Sequence, residues 1–396
     1  MTMTLTPTTS DERAAILDAV RDFAQSELAP HALEWDEQKH FPREALGRAG
    51  ELGLGGIYVR EDVGGSELSR SDTAAIIEEL AYADPAIAAY ISIHNMVAWM
   101  IDTYGSDEQR QLWLPRLTAM TDFGAYCLTE PGAGSDAAAL ATSAIRVADG
   151  QGGEEYVLTG VKQFISGAGE ASVYVVMART DPSTGSGTGG ARGISAFLVP
   201  ADAPGLSFGA NEKKMGWNAQ PTRQVILDAV RVPASALLGV EGQGFKIAMS
   251  GLNGGRVSIA ACSLGGAQFA LDRALRYVHE RYTFGEPLAE KQAVVFALAD
   301  MATELRAARA LVRDAAIALD EKSPDVAMQC AMAKRFATDT GFRIANEALQ
   351  LHGGYGYLHE YGIEKVVRDL RVHQILEGTN EIMRVIIGRE LVEGSR

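Results

Sequence analysis

The chain has 396 residues, of which 47% are hydrophobic and 22% charged, and its mean hydropathy is close to zero. These values exclude disordered and membrane-spanning classes, and the length predicts two or three packed subdomains. Fifty-one acidic and 36 basic residues give a net charge of -15, which argues against an open cationic surface for nucleic acid. A local basic pocket for a phosphorylated ligand remains compatible with this charge.

The three cysteines, Cys127, Cys262 and Cys330, cannot all pair with one another. Their spacing is not that of metal ligands, so we predict small buried side chains, a reducing compartment and no metal site. The first twelve residues contain neither Lys nor Arg and no apolar segment, which predicts no targeting signal. We therefore expect a cytoplasmic protein.

Three regions follow one another along the chain. Residues 1–122 show an apolar period of 3.6 residues that begins after a cap at Ser10-Asp11, which predicts helices. Residues 123–236 contain short β-rich runs separated by Gly, Pro and Asp, which predicts a β-domain. Residues 237–396 contain long apolar-periodic segments near 244–280, 288–320, 324–352 and 363–393. The expected fold is α+β, with an N-terminal helical domain, a middle β-barrel or sandwich and a C-terminal four-helix bundle.

The most apolar stretch, residues 86–101, is interrupted by His94 and Asn95. A membrane span needs roughly 20 apolar residues, so this stretch predicts a buried helix.

A glycine-rich turn with the sequence CLTEPGAGSD spans residues 127–136. Its glycines would let backbone N–H groups approach a ligand closely. Gly132 to Ala137 imitate a dinucleotide-binding fingerprint, but Glu130 and Pro131 stand where a buried strand should run, and no βαβ spacing follows. We therefore reject a Rossmann site here.

A predicted strand, KQFISGAG, begins at Lys162 and places Phe164 and Ser166 two residues apart. Side chains at this spacing share one face of a strand, where a ring could stack on a ligand and a hydroxyl could donate to it. The alternative is a strand with a core Phe and a turn Ser.

Near the C-terminus, Glu377 precedes Gly378 and a predicted helix start. Its apolar neighbours, Ile375, Leu376 and Ile382, provide the surroundings that a general base with a raised pKa requires. The alternative is a capped turn between helices. His352 and His373 lie close by in sequence, and we interpret both as structural.

These segments, in this order and over nearly the whole chain, resemble the acyl-CoA dehydrogenases. Four blocks, at residues 92–102, 213–223, 252–256 and 351–361, are most similar to members that act on a short branched acyl group. The resemblance implies an enzyme that uses FAD for α,β-dehydrogenation of isobutyryl-CoA to methacrylyl-CoA in valine catabolism and passes electrons to an electron-transfer flavoprotein. The alternatives are 2-methylbutyryl-CoA or butyryl-CoA as substrate, a flavin oxidase, or a non-catalytic acyl-CoA-binding flavoprotein.

The resemblance also implies the cofactor site. It assigns FAD contacts to Tyr126, Leu128, Thr129, Gly134, Ser135, Phe164, Ile165, Ser166, Arg281, Thr283, Phe284, Gln292, Gln350, Leu351, Gly353, Gly354, Thr379 and Glu381. Phe164 and Ser166 stand where the family has Trp and Thr, so the stacking area is reduced and the hydroxyl is kept. The 350–354 loop is expected at the FAD of a neighbouring subunit, which implies a homo-oligomer, usually a tetramer.

The family places its catalytic base at one of two positions, on a loop that matches Glu377 or on a helix around Gly254-Gly255. This chain has glycine at both helix positions, so the resemblance leaves Glu377 as the base. It assigns substrate contacts to Ser135, Asn253, Arg256 and Gly378. Arg256 could instead be structural.

Overall fold

The computed structural model describes residues 9–181, 183 and 190–393. The region before the first strand is helical. Its α-helices are α1 (Ser10–Phe23), α2 (Ala32–Gln38), α3 (Arg43–Glu51), α4 (Arg70–Ala83), α5 (Pro85–Tyr104) and α6 (Asp107–Thr118). The cap of α1 is Thr9, one residue before the predicted Ser10-Asp11, because Thr9 and Glu12 form a reciprocal capping box.

Helix α5 is the buried helix predicted for residues 86–101. Asp84 caps it by accepting from Ala86 N at 2.8 Å. Its polar residues are satisfied by backbone groups: His94 Nε2 lies 2.8 Å from Leu117 O, and Asn95 Nδ2 donates to Leu54 O at 2.7 Å. Among the described residues, no helix combines the length and the apolar character that crossing a membrane would require.

The middle region forms one eight-stranded sheet. The strands are β1 (Gly124–Cys127), β2 (Ser143–Ala148), β3 (Glu154–Ser166), β4 (Val173–Arg179), β5 (Ile194–Pro200), β6 (Leu206–Phe208), β7 (Thr222–Pro233) and β8 (Leu237–Leu238). Their order is β6-β7-β3-β2-β4-β5-β8, and β1 pairs in parallel with β4. The two strands next to each other near the centre, β4 and β5, are buried along almost their whole length. The α+β fold class predicted from the sequence is confirmed.

The C-terminal region is again helical, with a short hairpin after its first helix. Its elements are α7 (Gly244–Glu280), β9 (Tyr282–Thr283), β10 (Glu286–Pro287), α8 (Gln292–Asp320), α9 (Val326–His352), α10 (Ile363–Arg371) and α11 (Asn380–Glu393). The apolar-periodic segment over 363–393 forms two helices, and the second, α11, begins shortly after Gly378, where the sequence predicted a helix start. Glu377 and Gly378 have left-handed φ values of 55° and 89°, which a continuous helix does not allow.

The domain limits at 122/123 and 236/237 stay a prediction. Strand β8 pairs with β5 through Leu238 and Ala196, so the sheet continues two residues past the second limit.

Candidate active site

The loop between α10 and α11 carries Glu377 into the interior. Its Oε2 atom is buried and accepts no hydrogen bond from any residue that the structure describes. Burial raises the pKa of Glu377 to about 7, although the charges of Arg256 and Lys334 act in the opposite direction. A carboxyl group with a pKa near neutrality and a free oxygen is suited to accept a proton.

Helix α7 leaves space for this carboxylate at Gly255. A Cβ atom at that position would lie 2.5 Å from Glu377 Oε2 and 2.8 Å from its Cδ. The preceding residue, Gly254, faces a different group, because a Cβ atom there would lie 2.8 Å from Arg70 Nη1. Glycine at 255 is therefore needed for the observed position of the Glu377 carboxylate.

Two cations hold the backbone of the loop. Arg256 Nε donates to the Glu377 carbonyl oxygen at 3.3 Å, and Arg256 Nη1 donates to Asn253 Oδ1 at 2.8 Å. Lys334, which is fully buried in α9, donates to the Gly378 carbonyl oxygen at 2.8 Å and to Asn380 Oδ1 at 2.9 Å. These bonds stabilise two consecutive left-handed residues, and such a conformation is costly for a residue other than glycine.

The Lys334 charge also tunes the base, which gives a first prediction. We expect kcat/KM to rise with pH through about 7 as Glu377 loses its proton. In Lys334→Met this rise moves to higher pH by about one pH unit, because a cation that favours the carboxylate has been removed. The measurement is the pH dependence of kcat/KM for a short acyl-CoA.

The control for this prediction is Lys246→Met, which removes an exposed lysine from α7. Its pH profile should match that of the wild type. A Lys334→Met profile that stays in place or moves to lower pH would contradict the assignment.

A tyrosine hydroxyl also lies in the site without a partner. Tyr126 Oη on β1 is buried and makes no hydrogen bond with a described residue. Burial raises the pKa of Tyr126, and the charge of Glu377 adds to the effect. Buried polar groups are normally paired, so an orphaned hydroxyl here indicates a ligand partner.

The two segments expected to face the flavin lie together. Gln163 N donates to Thr129 O at 2.8 Å, and the buried Lys162 donates to Leu128 O at 3.2 Å and to Glu130 Oε1 at 2.7 Å. Burial would raise the pKa of Glu130, but the Lys162 charge and the N–H donors of Ala141 and Thr142 hold it below its usual value. The turn beyond it leaves Gly134 and Ser135 exposed.

The prediction that Phe164 and Ser166 share one face of the strand stays a prediction. A bulge interrupts the pairing of β3 with β7 between Lys162 and Ile165, and Phe164 has a left-handed φ of 59°. Phe164 is 64% exposed, Ile165 is buried and Ser166 is half-buried, which is compatible with a shared face for Phe164 and Ser166. The bulge gives Phe164 the exposure that a ligand-facing ring requires.

A second group of the expected residues lines an open cavity of about 420 Å³. Six of them are Arg281, Thr283, Gln350, Leu351, Gly353 and Gly354. Phe284 is 99% exposed beside it, and Gln292 is exposed at the start of α8. Helix α7 has 37 residues and is roughly 55 Å long, so Arg281 at its end lies roughly 35 Å or more from Gly255.

Thr379 and Glu381 lie at the start of α11. Thr379 caps this helix, since its Oγ1 accepts from Ile382 N at 3.4 Å. Glu381 is exposed, and its side chain lies 3.5 Å from Arg384 Nη1.

The described residues fit a bound FAD. No heavy atom lies within 4 Å of a Cβ built at Gly134, Gly353 or Gly354, so the backbone there is open to close approach. Exposed rings such as Phe164 and Phe284 are costly in water and typical of a contact surface. The Arg281 guanidinium, next to a glycine-rich turn, suits a pyrophosphate group.

The two histidines interpreted as structural both make contacts within the protein. His352 is stacked on Tyr277 with ring centroids 4.2 Å apart, and its Nδ1 lies 2.7 Å from Ala348 O. His373 is fully buried, and its Nδ1 lies 2.7 Å from Ser263 Oγ. Burial lowers the pKa of His373 to about 3, which keeps the ring neutral.

Three residues near Glu377 were not predicted from the sequence: Arg70, Tyr58 and Lys334. A signal existed for Lys334. It lies next to Arg335 in the otherwise apolar segment AMAKRFA, and a lysine in such a segment can be buried. No local pattern marks Arg70 or Tyr58, because their contacts with α7 and with each other are long-range.

The fold and the buried loop carboxylate define an oxidoreductase of the acyl-CoA dehydrogenase type. Three family models match the chain: the acyl-CoA dehydrogenase N-terminal domain over residues 10–121, the middle domain over 125–230 and the C-terminal domain over 242–392. The chain belongs to the acyl-CoA dehydrogenase family, whose members are FAD-dependent flavoproteins.

Individual relatives agree with this assignment. The chain is similar to the mitochondrial isobutyryl-CoA dehydrogenase of Dictyostelium discoideum, with 54% identity over 93% of this chain and 86% of the relative. It is similar to the mitochondrial isobutyryl-CoA dehydrogenase of Bos taurus, with 52% identity over 97% of this chain and 90% of the relative. The solved butyryl-CoA dehydrogenase of Megasphaera elsdenii superposes with a TM-score of 0.91 and 38% identity, covering 99% of this chain and 100% of that one.

Proposed function

We propose that this chain uses FAD to dehydrogenate isobutyryl-CoA to methacrylyl-CoA in valine catabolism, with Glu377 as the base. The observation that carries the proposal is the buried Glu377 carboxyl, which has a pKa near 7 and an oxygen free of hydrogen bonds from described residues. The two relatives of more than 50% identity that are named for isobutyryl-CoA support the choice of substrate.

The α-proton of a thioester is too weakly acidic for a carboxylate unless enolate charge on the carbonyl oxygen is stabilised. The Glu377 backbone N–H has no acceptor among the described residues, so it can donate to that oxygen. FAD supplies the group that accepts the β-hydride. Arg256 and Lys334 fix the loop, so the N–H and the carboxylate of one residue are oriented together on the same thioester.

The substrate contacts predicted at Asn253, Arg256, Gly378 and Ser135 belong to this proposal. Asn253 and Arg256 are hydrogen-bonded to each other, and Arg256 is also bonded to the Glu377 loop. Arg256 therefore positions the base and also lies next to it. Gly378 follows Glu377 directly, and Ser135 lies on the exposed glycine-rich turn.

The flavin contacts predicted along the chain fall into two groups that no single FAD bridges in one subunit. Tyr126, Thr129 and the bulged Phe164 belong to the group near Glu377, whereas Arg281 and Gln350 line the distant cavity. We propose that the second group serves the FAD of a neighbouring subunit, in a homotetramer. Sedimentation of the holoenzyme at several concentrations tests this, and a flavin-loaded monomer would contradict it.

An electron-transfer flavoprotein is the proposed electron acceptor. Reoxidation of the reduced enzyme by such a protein in the absence of oxygen tests it, and rapid reoxidation by oxygen alone would point to an oxidase. The predicted cytoplasmic location also stays a prediction, since the two relatives are named as mitochondrial. Fractionation of the source cells would test it.

The substrate is tested by kcat/KM for isobutyryl-, 2-methylbutyryl-, butyryl-, isovaleryl- and octanoyl-CoA. One methylene in an apolar pocket changes specificity by about 10- to 200-fold, so the ranking should be clear. We expect isobutyryl-CoA to be best. A best value for 2-methylbutyryl- or butyryl-CoA would keep the chemistry and change the substrate, and binding without turnover of any thioester would indicate a non-catalytic flavoprotein.

A further inference from the structure

The first residue of α4, Arg70, is held rigidly at the edge of the proposed active site. The start of α4 is fixed from two sides. Ser69 caps it by accepting from Asp72 N at 2.9 Å, and Asp320 of α8 accepts from the backbone N–H groups of Arg70 and Ser71 at 2.8 and 3.2 Å. The Arg70 side chain therefore extends from a well-determined backbone position.

Aromatic rings hold the Arg70 guanidinium. Its Cζ atom lies 3.5 Å from the centroid of the Tyr58 ring and 5.0 Å from that of Trp99. No Asp or Glu among the described residues forms an ion pair with it, although such pairs are frequent elsewhere in the chain. The guanidinium thus packs against these two rings, where it occupies volume.

The Arg70 guanidinium and the Glu377 carboxylate face neighbouring residues of α7. A Cβ atom at Gly254 would lie 2.8 Å from Arg70 Nη1, and one at Gly255 would lie 2.5 Å from Glu377 Oε2. Consecutive residues of an α-helix are separated by only about 1.5 Å along its axis. Arg70 and Glu377 therefore lie beside the same short stretch of α7. The charges of both residues act on the Tyr58 hydroxyl group.

We propose that Arg70 is a specificity-determining residue, which closes the acyl end of the pocket with Tyr58 and Trp99 and so restricts the enzyme to short acyl chains. The proposal rests on the proposed function. Because Gly254 has no side chain, the Arg70 guanidinium occupies the volume next to that residue. In this arrangement an acyl chain longer than a few carbons meets the stacked Arg70 and Tyr58.

The test compares kcat/KM for octanoyl-CoA and isobutyryl-CoA in the flavin-loaded holoenzyme. In Arg70→Ala we expect the octanoyl to isobutyryl ratio to rise at least about tenfold, because the side chain that blocks the longer acyl group is gone. Arg70→Met keeps most of the volume without the charge, so its ratio should stay within about threefold of the wild type. Arg21→Ala removes a half-exposed arginine that pairs with Glu79 on the same α4, and it should leave the ratio unchanged.

Three results would overturn the proposal. One is an unchanged ratio in an Arg70→Ala variant with a normal flavin spectrum. Another is an equal change in Arg70→Met and Arg70→Ala, which would mean that charge and not volume sets the ratio. The third applies if Arg70→Ala does not retain flavin. Arg70→Gln, whose planar end group reaches less far, should then raise the ratio, and an unchanged ratio would reject the proposal. A wild type inactive on both thioesters would reject the proposed function instead.

Discussion

Replacing Glu377 by Gln lowers the rate of flavin reduction by isobutyryl-CoA by about 10⁴-fold, while FAD and acyl-CoA still bind. The amide keeps the shape of the side chain but cannot accept the α-proton. One terminal atom of the amide, the oxygen or the nitrogen, takes the buried position of Glu377 Oε2, which has no hydrogen-bond partner among the described residues. The measurement is rapid mixing of the yellow variant with substrate in the absence of oxygen.

Glu390→Gln is the matched control, because Glu390 is an exposed carboxylate on α11, shortly after the Glu377 loop. It should reduce flavin at the wild-type rate. If Glu377→Gln retained full activity, another group would be the base, and the assignment of Glu377 would be wrong.

Moving the base from the loop to α7 restores activity that the loop variant has lost. Glu377→Gly should be inactive but well folded, since φ values of 55° and 89° at 377 and 378 suit glycine. Adding Gly255→Glu introduces a carboxylate at a position whose Cβ atom would lie 2.5 Å from the place that Glu377 Oε2 occupies in the wild type. We expect the double variant to recover at least about 100-fold in flavin reduction rate over Glu377→Gly.

The control for this exchange is Gly254→Glu in the same Glu377→Gly background. The Cβ of residue 254 would point at the Arg70 guanidinium, so a carboxylate there would pair with Arg70 and would not reach the α-proton. Equal recovery by Gly254→Glu and Gly255→Glu would show that the direction in which the new side chain points does not decide proton transfer.

The parts of the fold with strong local periodicity could be predicted from the sequence. Helix α5 follows from a long apolar run with a proline at its first position, and α7 was predicted with its observed bounds, 244–280. A helix start after Gly378 was predicted, but the conformation of the loop that precedes it was not. This conformation depends on Lys334 and Arg256, which bind the loop carbonyls from distant parts of the chain.

The candidate site could be predicted only where one residue carried the chemistry. Glu377 was visible as a carboxylate in apolar surroundings, but its direction depends on the missing side chain at Gly255. The bulge at Phe164 depends on the pairing of β3 with β7, which strand alternation alone does not reveal. Arg70 was missed because its stacking on Tyr58 joins elements that no sequence pattern connects.

The most direct test is anaerobic titration of the purified FAD-loaded protein with isobutyryl-CoA, followed by analysis of the thioester formed. We expect the visible absorbance of oxidised flavin to be lost on mixing and methacrylyl-CoA to appear in an amount equal to the flavin reduced. A protein that binds FAD and isobutyryl-CoA but neither bleaches nor forms an unsaturated thioester would contradict the account.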